Sequence, residues 1–176
     1  MERVSGYCYV GPAVLAEGAA PGPGVITVMS AQVLAGWLAG RPAAEVREPS
    51  TFVVGLDGWL RLAPRRSEHV DCAAGQPVLA AGEVLFAREE SGWSVCEIST
   101  QSTGYCPYLD SWPAVAAVLD RIGLEHPGDF THKIVFRRCP GCGQLNIVRE
   151  GDFACAVCGC TLPDHWNICP AEPADR

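Results

Sequence analysis

The chain has 176 residues, of which 48% are hydrophobic and 19% are charged, and its formal net charge is −7. This composition excludes an intrinsically disordered chain, and the acidic balance argues against a nucleic-acid-binding protein, whose affinity comes from Lys and Arg set against phosphates. The longest uncharged run, residues 18–40, is interrupted by Pro21 and Pro23, so we expect no membrane span. No export signal is visible, and we expect a cytoplasmic protein with reduced thiols.

Residues 1–124 are predicted to form a β-rich α+β domain made of hairpins and two helices. A short strand is expected near residues 3–10, and Ser30 is a candidate N-cap for a helix that ends at Gly40. Two β-hairpins follow, the first turning at Asp57-Gly58 and the second near residues 89–92, with a polar loop between them.

The second predicted helix is the stronger one. Its N-cap is Asp110 or Ser111, Pro113 lies in the first turn, and Gly123 is the expected stop. The apolar positions recur with helical spacing and predict a buried stripe, formed by Val115, Val118, Leu119 and Ile122. Residues 125–135 are interpreted as a linker with a lead-in strand, and residues 136–176 as a zinc ribbon with a tail.

The ribbon prediction depends on two C-x-x-C pairs separated by a 12-residue spacer. Each pair can form a tight turn that directs two thiolates at one point, and Gly143 and Gly159 suit the left-handed backbone that follows. This spacing predicts one Zn²⁺ bound by Cys139, Cys142, Cys155 and Cys158. A short hairpin turning at residues 150–151 is expected between the pairs. Because a site with four cysteine ligands is coordinatively closed, the zinc is predicted to be structural.

Other potential ligands lie close to the pairs. Cys160 is either a small residue near the metal lobe or a thiol that exchanges with Cys158 as a ligand or has a redox role, and Cys169 lies in the tail. His165 is not needed once four thiolates are available.

Two polar stretches, residues 69–84 and 99–107, resemble a domain of plant IQ-motif calmodulin-binding proteins and of uncharacterised bacterial proteins. The matching positions are His69, Gly75, Ala81-Gly82, Ser102, Tyr105 and Pro107. The chain departs from that pattern at Thr100, Thr103 and Gly104, and it has no IQ-type helix. The resemblance covers about residues 50–124 and implies a small β-rich domain closed by a helix, without a settled activity.

The same stretches contain the candidate catalytic residues, which are His69, Glu83, Ser102 and Tyr105. His69 and Glu83 can form an acid/base pair, because a carboxylate can orient an imidazole that titrates near neutrality. The alternative is that His69 caps a loop and Glu83 is a solvated strand residue. No nucleotide-binding, metalloprotease or serine-hydrolase motif is present.

Three functions follow from these observations. The first is a protein-interaction module of the adaptor or immunity type, with candidate binding residues Arg65, Arg66, Gln101 and Trp166. The second is an enzyme whose small or nucleotide-like substrate binds between the His69 loop and residues 101–105. The third is a nucleic-acid-binding ribbon, which the shortage of basic residues between Cys139 and Cys169 disfavours. The oligomeric state is not predicted.

Overall fold

The computed structural model describes residues 6–168. The helices are α1 (Ala13–Glu17), α2 (Ala31–Ala39), α3 (Ala43–Val46), α4 (His69–Cys72) and α5 (Trp112–Ile122), the last preceded by a 3-10 turn (Leu109–Ser111). The strands are β1 (Ile26–Val28), β2 (Ser50–Gly55), β3 (Leu60–Ala63), β4 (Val78–Glu89), β5 (Gly92–Ile98), β6 (Val135–Arg138) and β7 (Leu145–Val148). The predicted α+β class is therefore confirmed.

An antiparallel five-stranded sheet in the order β1-β3-β2-β4-β5 forms the body of the protein. The β2–β3 hairpin turns at the predicted Asp57-Gly58, where Gly58 has a φ of 79° and the Asp57 carboxylate accepts the Trp59 N–H at 3.1 Å. The β4–β5 hairpin is also in its predicted place. Gly82 on β4 lies so close to the Ser99 carbonyl that an added Cβ would overlap it.

One face of the sheet packs against both predicted helices. Ser30 caps α2, with its Oγ accepting the Val33 N–H at 3.2 Å, and α5 ends at Gly123 with a φ of 81°. The whole predicted stripe of α5 is buried. Side chains of even-numbered sheet residues complete this main core, among them Phe52, Leu62, Ala80 and Val84.

The other face packs against α4 and the N-terminal segment. Its core contains Val53, Val70, Ala81 and the fully buried Tyr105. The sequence predicted only a polar loop here, and that prediction is wrong for residues 69–72. A four-residue helix forms because Val70 and Cys72 bury their side chains against the sheet.

The C-terminal lobe is built on a separate two-stranded sheet. The predicted hairpin at residues 150–151 is reduced to a single bridge between Arg149 and Asp152, whereas β7 pairs along its length with β6. The strand ahead of the first cysteine pair is thus the main partner of β7. Among residues 6–168, no helix combines the length and apolar composition needed to cross a lipid bilayer.

Candidate functional site

The two C-x-x-C segments fold into turns with the same backbone hydrogen bonds. In each turn, the first cysteine donates its N–H to the residue five positions later, at 2.8 Å from Cys139 to Gln144 and 2.9 Å from Cys155 to Cys160. In each, the glycine after the second cysteine donates to the carbonyl of the first at 2.9 Å. Gly143 and Gly159 adopt φ values of 78° and 74°, as the sequence predicted.

The four predicted thiols meet between these turns. All four Sγ atoms lie within 4.8 Å of one another, with 3.4 Å between Cys139 and Cys158 and 3.7 Å between Cys142 and Cys155. Sulfur ligands about 2.3 Å from a tetrahedral metal lie roughly 3.8 Å apart, so the arrangement fits a metal ion. Cys139 and Cys155 are buried, whereas Cys142 and Cys158 are exposed.

Neighbouring N–H groups favour the deprotonated, thiolate form of Cys155. Backbone N–H groups of Cys158 and Val157, with the Asn146 side-chain amide, lower the pKa of the Cys155 thiol to about 6. The Val157 N–H lies 3.4 Å from Cys155 Sγ and the Asn146 Nδ2 lies 3.5 Å from it. Asn146 is itself fixed, because its Oδ1 accepts the Ala156 N–H at 2.9 Å. A deprotonated sulfur is the form that binds a metal.

Cys160 has a different position. Its backbone is the counterpart of Gln144 in the first turn, and its Sγ lies beside Gly141 rather than among the four converging thiols. His165 is exposed and lies 3.2 Å from the carboxylate of its neighbour Asp164. Cys169, named in the sequence prediction, lies outside the described residues.

The segment after the metal site returns to β6. The buried Arg137 donates to the carbonyls of Phe136, Pro163 and Asp164 at 2.8–3.0 Å. The Asn167 side chain makes two hydrogen bonds with the backbone of Arg138. Its Oδ1 accepts the Arg138 N–H at 2.8 Å, and its Nδ2 donates to the Arg138 carbonyl at 2.7 Å. Residues 163–167 are therefore held against β6.

Trp166, predicted as a binding residue, is half-buried against the body. Its ring packs edge-on to Tyr7 at 5.4 Å and lies 6.3 Å from Tyr108, and its Nε1 donates to the Cys106 carbonyl at 2.9 Å. These contacts show how the ring holds the lobe against the N-terminal segment.

The candidate catalytic residues have separate hydrogen-bond partners. His69 Nε2 lies 2.8 Å from the Gly82 carbonyl oxygen, and burial lowers the pKa of this imidazole. Tyr105 donates its hydroxyl to the Gln76 carbonyl at 2.8 Å, while Ser102 Oγ accepts the Tyr105 N–H at 3.3 Å. Within the described chain, no hydrogen bond joins His69, Glu83 and Tyr105.

Glu83 and Gln101 are brought together elsewhere, in a polar cleft of about 250 Å³. Glu97, Ser99 and His132 line the same cleft. Sequence reasoning missed His132, because it belongs to the segment between α5 and β6 and no motif surrounds it. It reaches β5 because the N–H groups of residues 131 and 132 both donate to the Ile98 carbonyl.

The candidate arginines Arg65 and Arg66 are both exposed in the turn after β3. Arg65 pairs with Glu48 at 2.6 Å, and Arg66 is exposed with a φ of 66°. Arg61 lies on the sheet and pairs with Asp57.

No family model matches the chain, and no curated protein and no solved structure matches it.

Proposed function

We propose that the chain is a protein-binding module whose recognition surface is maintained by one structural zinc. The observation that carries the proposal is the convergence of four thiols in a lobe whose Trp166 packs against the body, while Arg137 and Asn167 hold the segment after the metal site on β6. Four sulfur ligands favour Zn²⁺ and leave no position for substrate or water. None of the nine cysteines in the described chain forms a disulfide, which suits the reducing cytoplasm.

The proposed recognition surface is the groove where the metal lobe meets the body. It has a volume of about 560 Å³, with Val10 and Pro12 on one side and Phe136, Ile147 and Val157 on the other. The Val157 side chain lies beside the metal turn and is 68% exposed. Exposed apolar surface bordered by polar groups is typical of a protein interface.

The charge at the groove favours one kind of partner. Arg149 lines the groove, is exposed, and makes no ion pair with any residue that the structure describes. The partner is therefore an extended protein segment that places an apolar side chain in the groove and an Asp or Glu against Arg149. Nucleic acid ranks third as a partner, since Arg137 on β6 is buried and does not face a phosphate backbone.

Counting the metal by native mass spectrometry tests the structural zinc. We expect one zinc per chain, lost in Cys142→Ser and retained in Cys160→Ser, because only the former removes one of the four converging sulfurs. Two zinc ions per chain, or loss of zinc in Cys160→Ser, would refute the four-ligand assignment.

Site-specific photocrosslinking tests the groove. A photoreactive residue at Val157 should link to a cellular protein, and the same residue at Met29, which is 60% exposed on the body, serves as the matched control. We expect the Val157 crosslink to disappear in Cys142→Ser and to weaken in Arg149→Glu. Equal labelling from both positions would contradict binding in the groove.

The polar cleft supports the second candidate function, an enzyme acting on a small or nucleotide-like substrate. Its supporting observation is that Glu83, Glu97 and His132 line one cleft, where a carboxylate and an imidazole can share a proton. Turnover of any such substrate should fall in both Glu83→Gln and His132→Asn and persist in His165→Ala. Activity that survives both cleft substitutions would exclude this site.

A further inference from the structure

A cavity of about 410 Å³ lies on the second face of the five-stranded sheet, separate from the groove and the metal site. Its floor is a row of three residues on neighbouring strands, because Thr27 and Val53 are both register partners of Arg61. Its walls come from the α4 end, the loop before β4 and the segment before β1, including Cys72, Pro77 and Pro21. The cavity shares no lining residue with the groove.

Arg61 is the cationic residue of this cavity. Its Nη1 and Nη2 donate to the two carboxylate oxygens of Asp57 at 3.0 and 2.6 Å, and this pairing lowers the pKa of the Asp57 carboxyl to about 2. The guanidinium is thereby held in one orientation. Its remaining N–H groups have no hydrogen-bond partner among the residues that the structure describes, and they are available to a ligand.

The surrounding backbone leaves room for this arrangement. At Gly55, an added Cβ would overlap Arg61 Nη1, so glycine allows the guanidinium to lie against β2. In the wall, Ala74 has a φ of 51°, a conformation that costs free energy for a residue with a side chain. Strained backbone of this kind is concentrated at binding sites.

The rest of the lining is mostly apolar. Val53, Val78 and Cys72 are buried, and Leu56 at the rim is 49% exposed. Burial raises the pKa of the Cys72 thiol to about 12, so this sulfur is neutral and does not compete for Arg61. A ligand that fits the cavity therefore needs one anionic group and an apolar body.

We propose that this cavity binds a small organic acid whose carboxylate accepts hydrogen bonds from Arg61 and Thr27 and whose apolar body lies against Val53 and Leu56. A guanidinium can bridge two carboxylates because its edges present N–H groups in different directions. Asp57 disfavours a doubly charged phosphate, since its own negative charge stands beside the same guanidinium. The hydroxyl of Thr27 has no side-chain hydrogen bond within the described chain and supplies a neutral donor.

Titration of the zinc-loaded full chain by two-dimensional NMR tests the proposal. The probes are phenylacetate and hexanoate at millimolar concentrations, with phenylacetamide and phenethylamine as the neutral and cationic counterparts. We expect saturable shifts for the acids at the N–H groups of Thr27, Val53 and Arg61, and none for the counterparts. Arg61→Met should weaken phenylacetate binding about tenfold or more, because a charge-assisted hydrogen bond is lost.

Two variants keep the test decisive. Arg65→Met removes an exposed arginine outside the cavity and should bind phenylacetate like the wild type. Thr27→Val keeps the side-chain volume and removes the hydroxyl, so it weakens binding even if Arg61→Met fails to fold. The absence of saturable shifts for both acids, equal binding of phenylacetamide, or unchanged binding in Thr27→Val and Arg61→Met would each overturn the proposal.

Discussion

Asn167→Ala tests how the segment after the metal site is held against β6. The Asn167 side chain makes two hydrogen bonds with the backbone of Arg138, at 2.8 and 2.7 Å, on the edge of β6 that β7 does not occupy. Each such bond contributes about 0.5–1.5 kcal/mol, so losing both should lower the free energy of unfolding by roughly 1–3 kcal/mol. The Arg138 N–H would then be left without its acceptor.

Amide hydrogen exchange of the zinc-loaded protein measures this effect at Arg138 itself. A decrease in the free energy of unfolding in the middle of this range of about 1–3 kcal/mol should accelerate hydrogen exchange of the Arg138 N–H roughly tenfold or more. His165→Ala is the control, because this neighbouring side chain is 76% exposed and its polar contact in the described chain is with the carboxylate of Asp164. Unchanged protection of Arg138 in Asn167→Ala, or equal acceleration in the control, would refute the role given to Asn167.

Two further predictions concern the body. Burial lowers the pKa of His69, so below about pH 6.5 the unfolded chain takes up a proton that the folded chain excludes. The free energy of unfolding therefore falls as the pH falls, by at most about 1.4 kcal/mol per pH unit. Urea unfolding between pH 7 and pH 5 should show a shallower fall for His69→Gln than for His165→Ala, and equal slopes would contradict it. Gly82→Ala should destabilise the protein by about 3 kcal/mol or more, because the added Cβ overlaps Ser99. At Gly36 an added Cβ meets no atom within 4 Å, so Gly36→Ala should stabilise α2 by up to about 1 kcal/mol. Thermal unfolding of both glycine variants checks this pair, and a Gly82→Ala protein as stable as the wild type would disprove the close approach.

Local patterns in the sequence predicted much of the fold. The apolar stripe of α5, the Ser30 cap and the Asp57-Gly58 turn are all encoded within a few residues, and each was found where it was expected. The metal turns were predictable for the same reason, since a C-x-x-C pair followed by glycine specifies its own backbone geometry. The four-residue helix α4 was missed because so short an element has no periodic signal.

Features that depend on distant residues could not be predicted from local patterns. The pairing of β6 with β7 crosses the first cysteine turn, so the local signal at residues 150–151 predicted only the minor pairing, a single bridge. His132 joins Glu83 in a cleft only because the segment after α5 returns along β5. The cavity beside Arg61 could not be predicted from local patterns, because its floor combines residues from three strands.

The contact between Arg138 and Asn167 has a consequence for engineering the molecule. These residues bracket both cysteine turns and β7, and their main chains lie close enough for a side-chain amide to bridge them at 2.7–2.8 Å. Residues 139–166 thus form a segment whose two ends meet, the geometry in which segments are most readily exchanged. Because this segment includes β7 and Trp166, a graft at the same junction would have to supply a partner strand for β6 and a ring that packs against Tyr7, as well as its own metal-binding turns.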